Sequence, residues 1–188
     1  MIKNGTLLKF KKLSVPEVHT AQLISNVAGE NITIIEEEQA KNILNILSEY
    51  HVLSNCTKTK VVCALYDQEF TEISRGVNYV FGVEVCNVDV CKKDYGQNPE
   101  HRHGICRAIH SEVMALRNWY TGTVEREPYY AFVTRYPCED CVSKMSVLGV
   151  KVIYYSAKDS NEHTNTISPD MLNYLEHKYK VHIISIQN

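Results

Sequence analysis

Two short clusters constrain the fold of this chain more than any other feature: His110-Ser111-Glu112 and, beyond an intervening segment, Pro137-Cys138-Glu139-Asp140-Cys141. Cys138 and Cys141 are three apart, so on a helix they are neighbours on one face. Pro137 just before them suits a helix start. Thiolates at a helix N-terminus are stabilised by the dipole, which lowers the cost of deprotonating them for a metal. A C-x-x-C pair alone also serves redox chemistry or half of a structural zinc site. His110 and Glu112 narrow the choice. Residues two apart on a helix point to nearly opposite sides, so they can converge best at the helix mouth. Two helix mouths must then face each other, one giving His110 and the other Cys138 and Cys141. Three ligands leave one tetrahedral position open, as in a catalytic metal site rather than a closed structural one. Glu112 would be a proton shuttle beside that open position, not a ligand. The competing assignment is a four-ligand zinc knuckle with Glu112 merely exposed.

At 188 residues the chain is long enough for one domain with a real core. Formal net charge is -2, with no block of like charges. Lys9, Lys11 and Lys12 form a small cluster that reads as a solvated strand edge. Polynucleotide binders more often carry a basic stripe, so the balance favours a small substrate over nucleic acid. Met1 to Lys12 has no long apolar run, and no stretch approaches a membrane span. A cytoplasmic, membrane-free protein is the expectation. Seven cysteines, an odd number, in a reducing compartment favour metal binding over disulfides. Cys63, inside the apolar run Val61–Leu65, reads as a small buried hydrophobe.

Periodicity gives an alternating order. Asn4-Gly5 suggests a hairpin within Met1–Leu13. Ala40, Ile43, Leu44 and Leu47 predict a helix from Glu36 to near Asn55. Val61–Tyr66 and Asn78–Val85 read as strands, with the polar Asp67–Arg75 as a turn between them. Residues 86–106 are rich in turn formers; so long a loop is uncommon unless functional or pinned. Then follow a helix at Ile109–Tyr120, a strand at Tyr129–Thr134, a helix at Cys138–Leu148 stopped by Gly149, and a strand at Val150–Tyr155. A helix capped by Ser168-Pro169 runs to about Tyr179, and Val181–Ile186 is a last strand. This alternation predicts an α/β fold with helices packed on a central sheet.

The H-x-E…P-C-x-x-C pattern is the signature of zinc nucleobase deaminases. Over about residues 36–186 the chain resembles the cytidine deaminase superfamily, and within it the deoxycytidylate (dCMP) deaminases. The resemblance is strongest at Arg107–Glu112, at Tyr130–Cys138 and at Val152–Tyr155, with Ser54–Lys58 similar to the end of that family's first helix. It implies a three-layer fold with a mixed five-stranded sheet flanked by helices, in a homo-oligomer. Residues 1–35 are then an extra N-terminal segment on a single deaminase domain spanning 1–188. It also implies a catalytic zinc held by His110, Cys138 and Cys141, with Glu112 as the shuttle. The spacing Cys86-x4-Cys91 is similar to that of members carrying a second, structural zinc. Candidate ligands are Cys56, Cys86, Cys91, His101, His103 and Cys106, the preferred set being Cys56, Cys86, Cys91 and His103. Asn78 resembles the family's sugar-contacting Asn, and Tyr155 would lie near base or phosphate. Arg102, Arg107, Arg135 and Lys58 are candidate phosphate partners. Two departures stand out. Ser111 replaces the usual Ala between His and Glu, where its hydroxyl could contact substrate, and Asn78-Tyr79-Val80-Phe81-Gly82 replaces a Gly-rich segment.

The implied reaction is deamination of dCMP to dUMP, a supply of uridylate for thymidylate synthesis. The alternatives are deamination of RNA or single-stranded DNA, which needs aromatic platforms and backbone-binding cations, of another nucleoside or base, or a catalytically silent zinc protein.

Overall fold

A computed structural model describes residues 23–27, 30–57, 59–84, 86, 108–123, 125–157 and 167–187. In order these form β1 (Leu23–Val27), β2 (Glu30–Ile34), α1 (Glu37–Ser48), a 3-10 helix (Glu49–Leu53), β3 (Val62–Tyr66), β4 (Glu72–Val77) and α2 (Ser111–Thr121). Then come β5 (Tyr130–Val133), α3 (Glu139–Val147), β6 (Val152–Ser156), α4 (Pro169–Tyr179) and β7 (His182–Ile186). The main sheet has five strands in the order β4-β3-β5-β6-β7. β3 runs antiparallel to both β4 and β5, whereas β5, β6 and β7 are parallel. Parallel neighbours need a crossover, and α3 and α4 supply the two required. The mixed sheet flanked by helices is the architecture expected from the sequence. No described helix is long and apolar enough to cross a membrane.

Strand alternation sorts side chains into two cores. Val62, Ala64 and Tyr66 of β3, Tyr130 and Phe132 of β5, and Val152 and Tyr154 of β6 pack against Ala40, Ile43, Leu44 and Leu47 of α1. The opposite positions, Cys63, Leu65, Ala131, Val133 and Ile153, pack against Ala115 and Leu116 of α2, Val142 and Met145 of α3 and Leu175 of α4. The two faces differ in bulk. The α1 face carries a stack of rings, with Phe132 parallel to Tyr154 at 4.9 Å and edge-on to Tyr66 at 5.1 Å. The other face has the small Cys63 and Ala131 at adjacent strands, leaving room for helices to approach closely.

The β1-β2 hairpin is antiparallel and is tied to the α1 face. Ile35 N–H donates to the Tyr154 hydroxyl at 2.9 Å, and the Tyr130 hydroxyl donates to the Thr33 carbonyl at 3.1 Å. The hairpin expected around Asn4-Gly5 lies outside the described residues.

The strand expected at Asn78–Val85 is not there. The edge strand is β4, one segment earlier, which begins within the polar Asp67–Arg75 stretch, just after its turn, and runs on to Val77. Its polar character is self-compensated. Arg75 donates to both carboxylate oxygens of Glu72, at 2.9 and 2.5 Å, and its guanidinium lies 3.8 Å over the Tyr50 ring. A buried ion pair on an edge strand destroys the apolar alternation that pattern reading needs. Residues 78–84 instead make an isolated bridge, Tyr79 to Ile109, and a turn at Phe81-Gly82 where Gly82 has φ of +81°. Elsewhere the expected ends hold within a few residues. Gly149, with φ of +105°, follows α3, and the Ser168 hydroxyl accepts the Met171 N–H at 3.2 Å. The first helix passes into the 3-10 helix and ends at Leu53, slightly short of Asn55.

One glycine sets the distance between sheet and site helix. A Cβ on Gly76 would lie 2.3 Å from both the Ser111 carbonyl and the Ala115 nitrogen, all backbone of α2. Gly76→Ala must therefore push α2 off the sheet, and overpacking of this kind costs about 1–3 kcal/mol. A melting curve should show that loss together with weaker metal retention; an unchanged melting temperature would mean that α2 withdraws freely.

Candidate metal centre and active site

Both clusters fall at helix mouths. His110 is the N-cap of α2 in an extended conformation, with φ -66° and ψ 150°. Glu112 is the second residue of that helix. Cys138 is the N-cap of α3, also extended, and Cys141 is the third residue of α3. The chain reaches each mouth by a short connection from the sheet. β5 ends at Val133 and Thr134 N–H still donates to the Val62 carbonyl at 3.0 Å, so the sheet delivers Pro137-Cys138 to the carboxyl end of β5. On the other side, Tyr79 and Ile109 exchange backbone hydrogen bonds at 3.1 and 2.9 Å, fixing the residue just before His110.

The three ligand atoms meet. His110 Nδ1 lies 3.5 Å from Cys138 Sγ and 3.4 Å from Cys141 Sγ. Tetrahedral zinc with ordinary Zn–S and Zn–N bonds separates such atoms by about 3.6 Å. All three lie within 4.8 Å of one another, and they form the only such group among the described residues. The donor set therefore fits zinc, with Nδ1 as the histidine ligand atom and one position left open.

Electrostatics at the two mouths are matched to a dication. The Cys141 thiol donates to Cys138, which with His110 draws the Cys138 thiol down to about 4. The same bond, with burial and the nearby Glu112, pushes the Cys141 thiol up. Glu112 is 4% exposed. Burial pushes its carboxyl up, offset in part by its own backbone N–H, by His110 and by the Ser111 hydroxyl. A carboxyl raised in this way can both accept and return a proton. Cys63 is fully buried, its thiol raised first by burial and then by Glu112. It is the neutral apolar neighbour that its sequence context suggested.

The remaining candidates divide. Ser111 is fully buried, and its hydroxyl donates to Glu112 Oε2 at 2.8 Å. Tyr155 is half-buried near the end of β6, on the α2–α3 face, with its ring edge-on to Tyr136 at 4.9 Å. Asn78 is buried and heavily engaged: Oδ1 accepts from Ser54 Oγ and from Val61 N–H, each at 2.8 Å, and Nδ2 donates to the Thr59 carbonyl at 2.7 Å. Arg135 is half-buried just beyond β5. Cys56 and Cys86 are both buried and come side by side in a parallel bridge, held by Cys86 N–H to the Asn55 carbonyl at 2.8 Å. Lys58, Cys91, His101, Arg102, His103, Cys106 and Arg107 lie outside the described residues.

Periodicity missed the residues that brace this frame. Asn55 clamps the turn after β4, its Nδ2 donating to the Val80 and Val83 carbonyls at 2.9 and 3.0 Å and its Oδ1 accepting Val80 N–H at 2.9 Å. His51 meets the Thr134 hydroxyl at 2.9 Å, beside the exit of β5. The signal for Asn55 was its place in Ser54–Lys58; nothing in the sequence marks His51 or Gly76.

Residues 36–157 match the family model described as the cytidine and deoxycytidylate deaminase zinc-binding region. No curated protein matches the chain. Among solved structures, the dCMP deaminase of cyanophage S-TIM5, in complex with dCMP and dUMP, is similar at 21% identity, covering 81% of this chain and 99% of that one with a TM-score of 0.58. Its apo form is similar at 19% identity, covering 80% and 99%, with a TM-score of 0.54.

Metal analysis of Cys141→Ser, Cys138→Ser and His110→Ala should each find one zinc equivalent per chain fewer than in the unaltered protein. Full zinc content in any of them would remove that residue from the centre.

Proposed function

The chain belongs to the cytidine and deoxycytidylate deaminase family, and we propose that its reaction is the hydrolytic deamination of dCMP to dUMP, supplying uridylate for thymidylate synthesis. The observation that carries this is an open three-ligand metal centre with a buried carboxylate at the same helix mouth. The similarity to a fold crystallised elsewhere with dCMP and dUMP supports the choice of nucleotide. Net charge of -2 and the lack of a basic stripe support a small substrate over a polynucleotide. The proposal takes residues 1–188 as one deaminase domain in the cytoplasm, acting as a homo-oligomer. Exposed Val147 and Leu148 at the end of α3, with Leu172 and Tyr174 on α4, support assembly.

His110, Cys138 and Cys141 would hold zinc in the geometry described. Zinc bound there would acidify a water to near neutral pH and present it for attack on C4 of cytosine. Glu112 would carry two protons in turn, one from the attacking water to the ring nitrogen N3 and a second from the hydroxyl added at C4 to the departing amine. The C4–N bond breaks, ammonia leaves, and a carbonyl takes its place. Burial of Glu112 suits both halves of that cycle. Asn78, its amide held by Ser54, Val61 and Thr59, is the proposed sugar contact, and Tyr155, edge-on to Tyr136, is the proposed neighbour of base or phosphate. Arg135 is the described candidate for phosphate; Lys58, Arg102 and Arg107 are the others. A second, structural zinc on Cys56, Cys86, Cys91 and His103 would pin residues 86–106; the side-by-side placement of Cys56 and Cys86 supports it.

Purified protein incubated with dCMP should release ammonia and dUMP in equal amounts. Glu112→Gln should lower kcat by about 10²- to 10⁴-fold while retaining zinc. Turnover of another nucleotide, nucleoside or oligonucleotide without turnover of dCMP would replace the substrate and keep the chemistry. A fully metallated protein inactive on all of them would be a silent zinc protein. Cys86→Ala should remove one zinc equivalent and lower the melting temperature while His110, Cys138 and Cys141 keep theirs.

A further inference from the structure

Ser111 stands between the histidine ligand and the proton shuttle, and its hydroxyl has no exposed surface. A side chain with no exposure cannot reach a substrate that approaches through the open face. Its hydroxyl is committed instead to one oxygen of its neighbour: Oγ donates to Glu112 Oε2 at 2.8 Å. From this geometry, and resting on the deaminase assignment above, we propose that Ser111 is a positioning residue that makes the two oxygens of Glu112 inequivalent. Oε2 is anchored by the hydroxyl, and Oε1 carries the proton.

Three observations place the pair under constraint. Ser111 and Glu112 are the first two residues of α2, so the backbone of both is set by the helix mouth. The Ser111 carbonyl is pressed against Gly76, where a Cβ would come within 2.3 Å, so the first turn has no slack on the sheet side. The surrounding groups are His110, Cys138, Cys141 and Cys63, each of which interacts electrostatically with Glu112. A glutamate has three side-chain torsions; a half-turn of the last merely exchanges two chemically identical oxygens, whereas any other rotation would leave the Ser111 hydroxyl buried without a partner, a costly state. The bond therefore holds the carboxylate in one orientation through both proton transfers. An alanine at this place, as the family resemblance leads one to expect, would leave that orientation to packing alone.

The test is Ser111→Ala, which removes one oxygen at a helix position that alanine suits well. The expected result is a fall in kcat of about tenfold, the equivalent of losing a hydrogen bond to a charged group, with KM, zinc content and melting temperature near those of the unaltered protein. In a Glu112→Gln background the same substitution should cost nothing further in kcat, because the residue acts through the carboxylate. A crystal structure of Ser111→Ala should show the Glu112 carboxylate rotated or split between orientations. An undisturbed Glu112 in that structure overturns the proposal whatever the substrate proves to be. So does an unchanged kcat, or a loss that adds in full to that of Glu112→Gln. A rise in KM alone overturns it too, and makes Ser111 a substrate contact. Failure of the unaltered protein to deaminate any nucleotide or base would strike the deaminase assignment instead, leaving the orientation of Glu112 to be decided by the structure of the variant.

Discussion

Two helix N-termini point at the same few ångströms of space, and the rest of the molecule is arranged around that meeting. Each terminus carries a partial positive charge of about half a unit, so bringing the mouths of α2 and α3 together is unfavourable unless negative groups fill the gap. Cys138, Cys141 and Glu112 are those groups. The helix dipoles favour the thiolates, the thiolates favour a dication, and the dication cancels the repulsion between the thiolates. The opposite shifts of the two cysteine thiols, Cys138 drawn down and Cys141 pushed up, come from their mutual hydrogen bond.

The sheet makes the meeting possible by being thin on one side. Aromatic bulk is concentrated on the α1 face, where Tyr66, Tyr130, Phe132 and Tyr154 form the thick core. On the site face, Cys63, Ala131 and Gly76 let α2 sit almost on the strands. The exits of the strands are then locked by polar side chains. Asn78 and Asn55 hold the chain after β4, the Tyr79–Ile109 bridge carries that order to His110, and Thr134 with His51 holds the chain before Cys138. Ile109 immediately precedes His110 and Thr134 stands shortly before Cys138, so a small shift at either moves a candidate ligand.

Much of this was legible in the chain. The regular spacing in α1, the strand-like runs at Val61–Tyr66 and Val150–Tyr155, and the Ser168-Pro169 cap reflect local rules that tertiary contacts did not override. The convergence of His110, Cys138 and Cys141 was legible because ligand chemistry restricts residue type and spacing together. β4 was not. Its strand character rests on a buried Arg75–Glu72 pair and on a glycine pressed against a helix, and neither leaves a period in the sequence. The segment Asn78–Val85 misled for the opposite reason: it is apolar and strand-like, yet the backbone of 78–83 bonds to Ser54, Asn55, Val61 and Ile109 rather than along a full strand.

The zinc-binding pattern, the carboxylate two residues after His110 and the α/β alternation could be read from the chain alone, since each depends on residue types at short, fixed separations. How those pieces are aimed is a matter of tertiary packing. It brought His110 Nδ1 to within 3.5 Å of both sulfurs, turned the Ser111 hydroxyl towards Glu112, and set Cys56 beside Cys86. Those are distances between residues far apart in the chain or rotations about single bonds, and they are set by how close the helices can pack to the sheet.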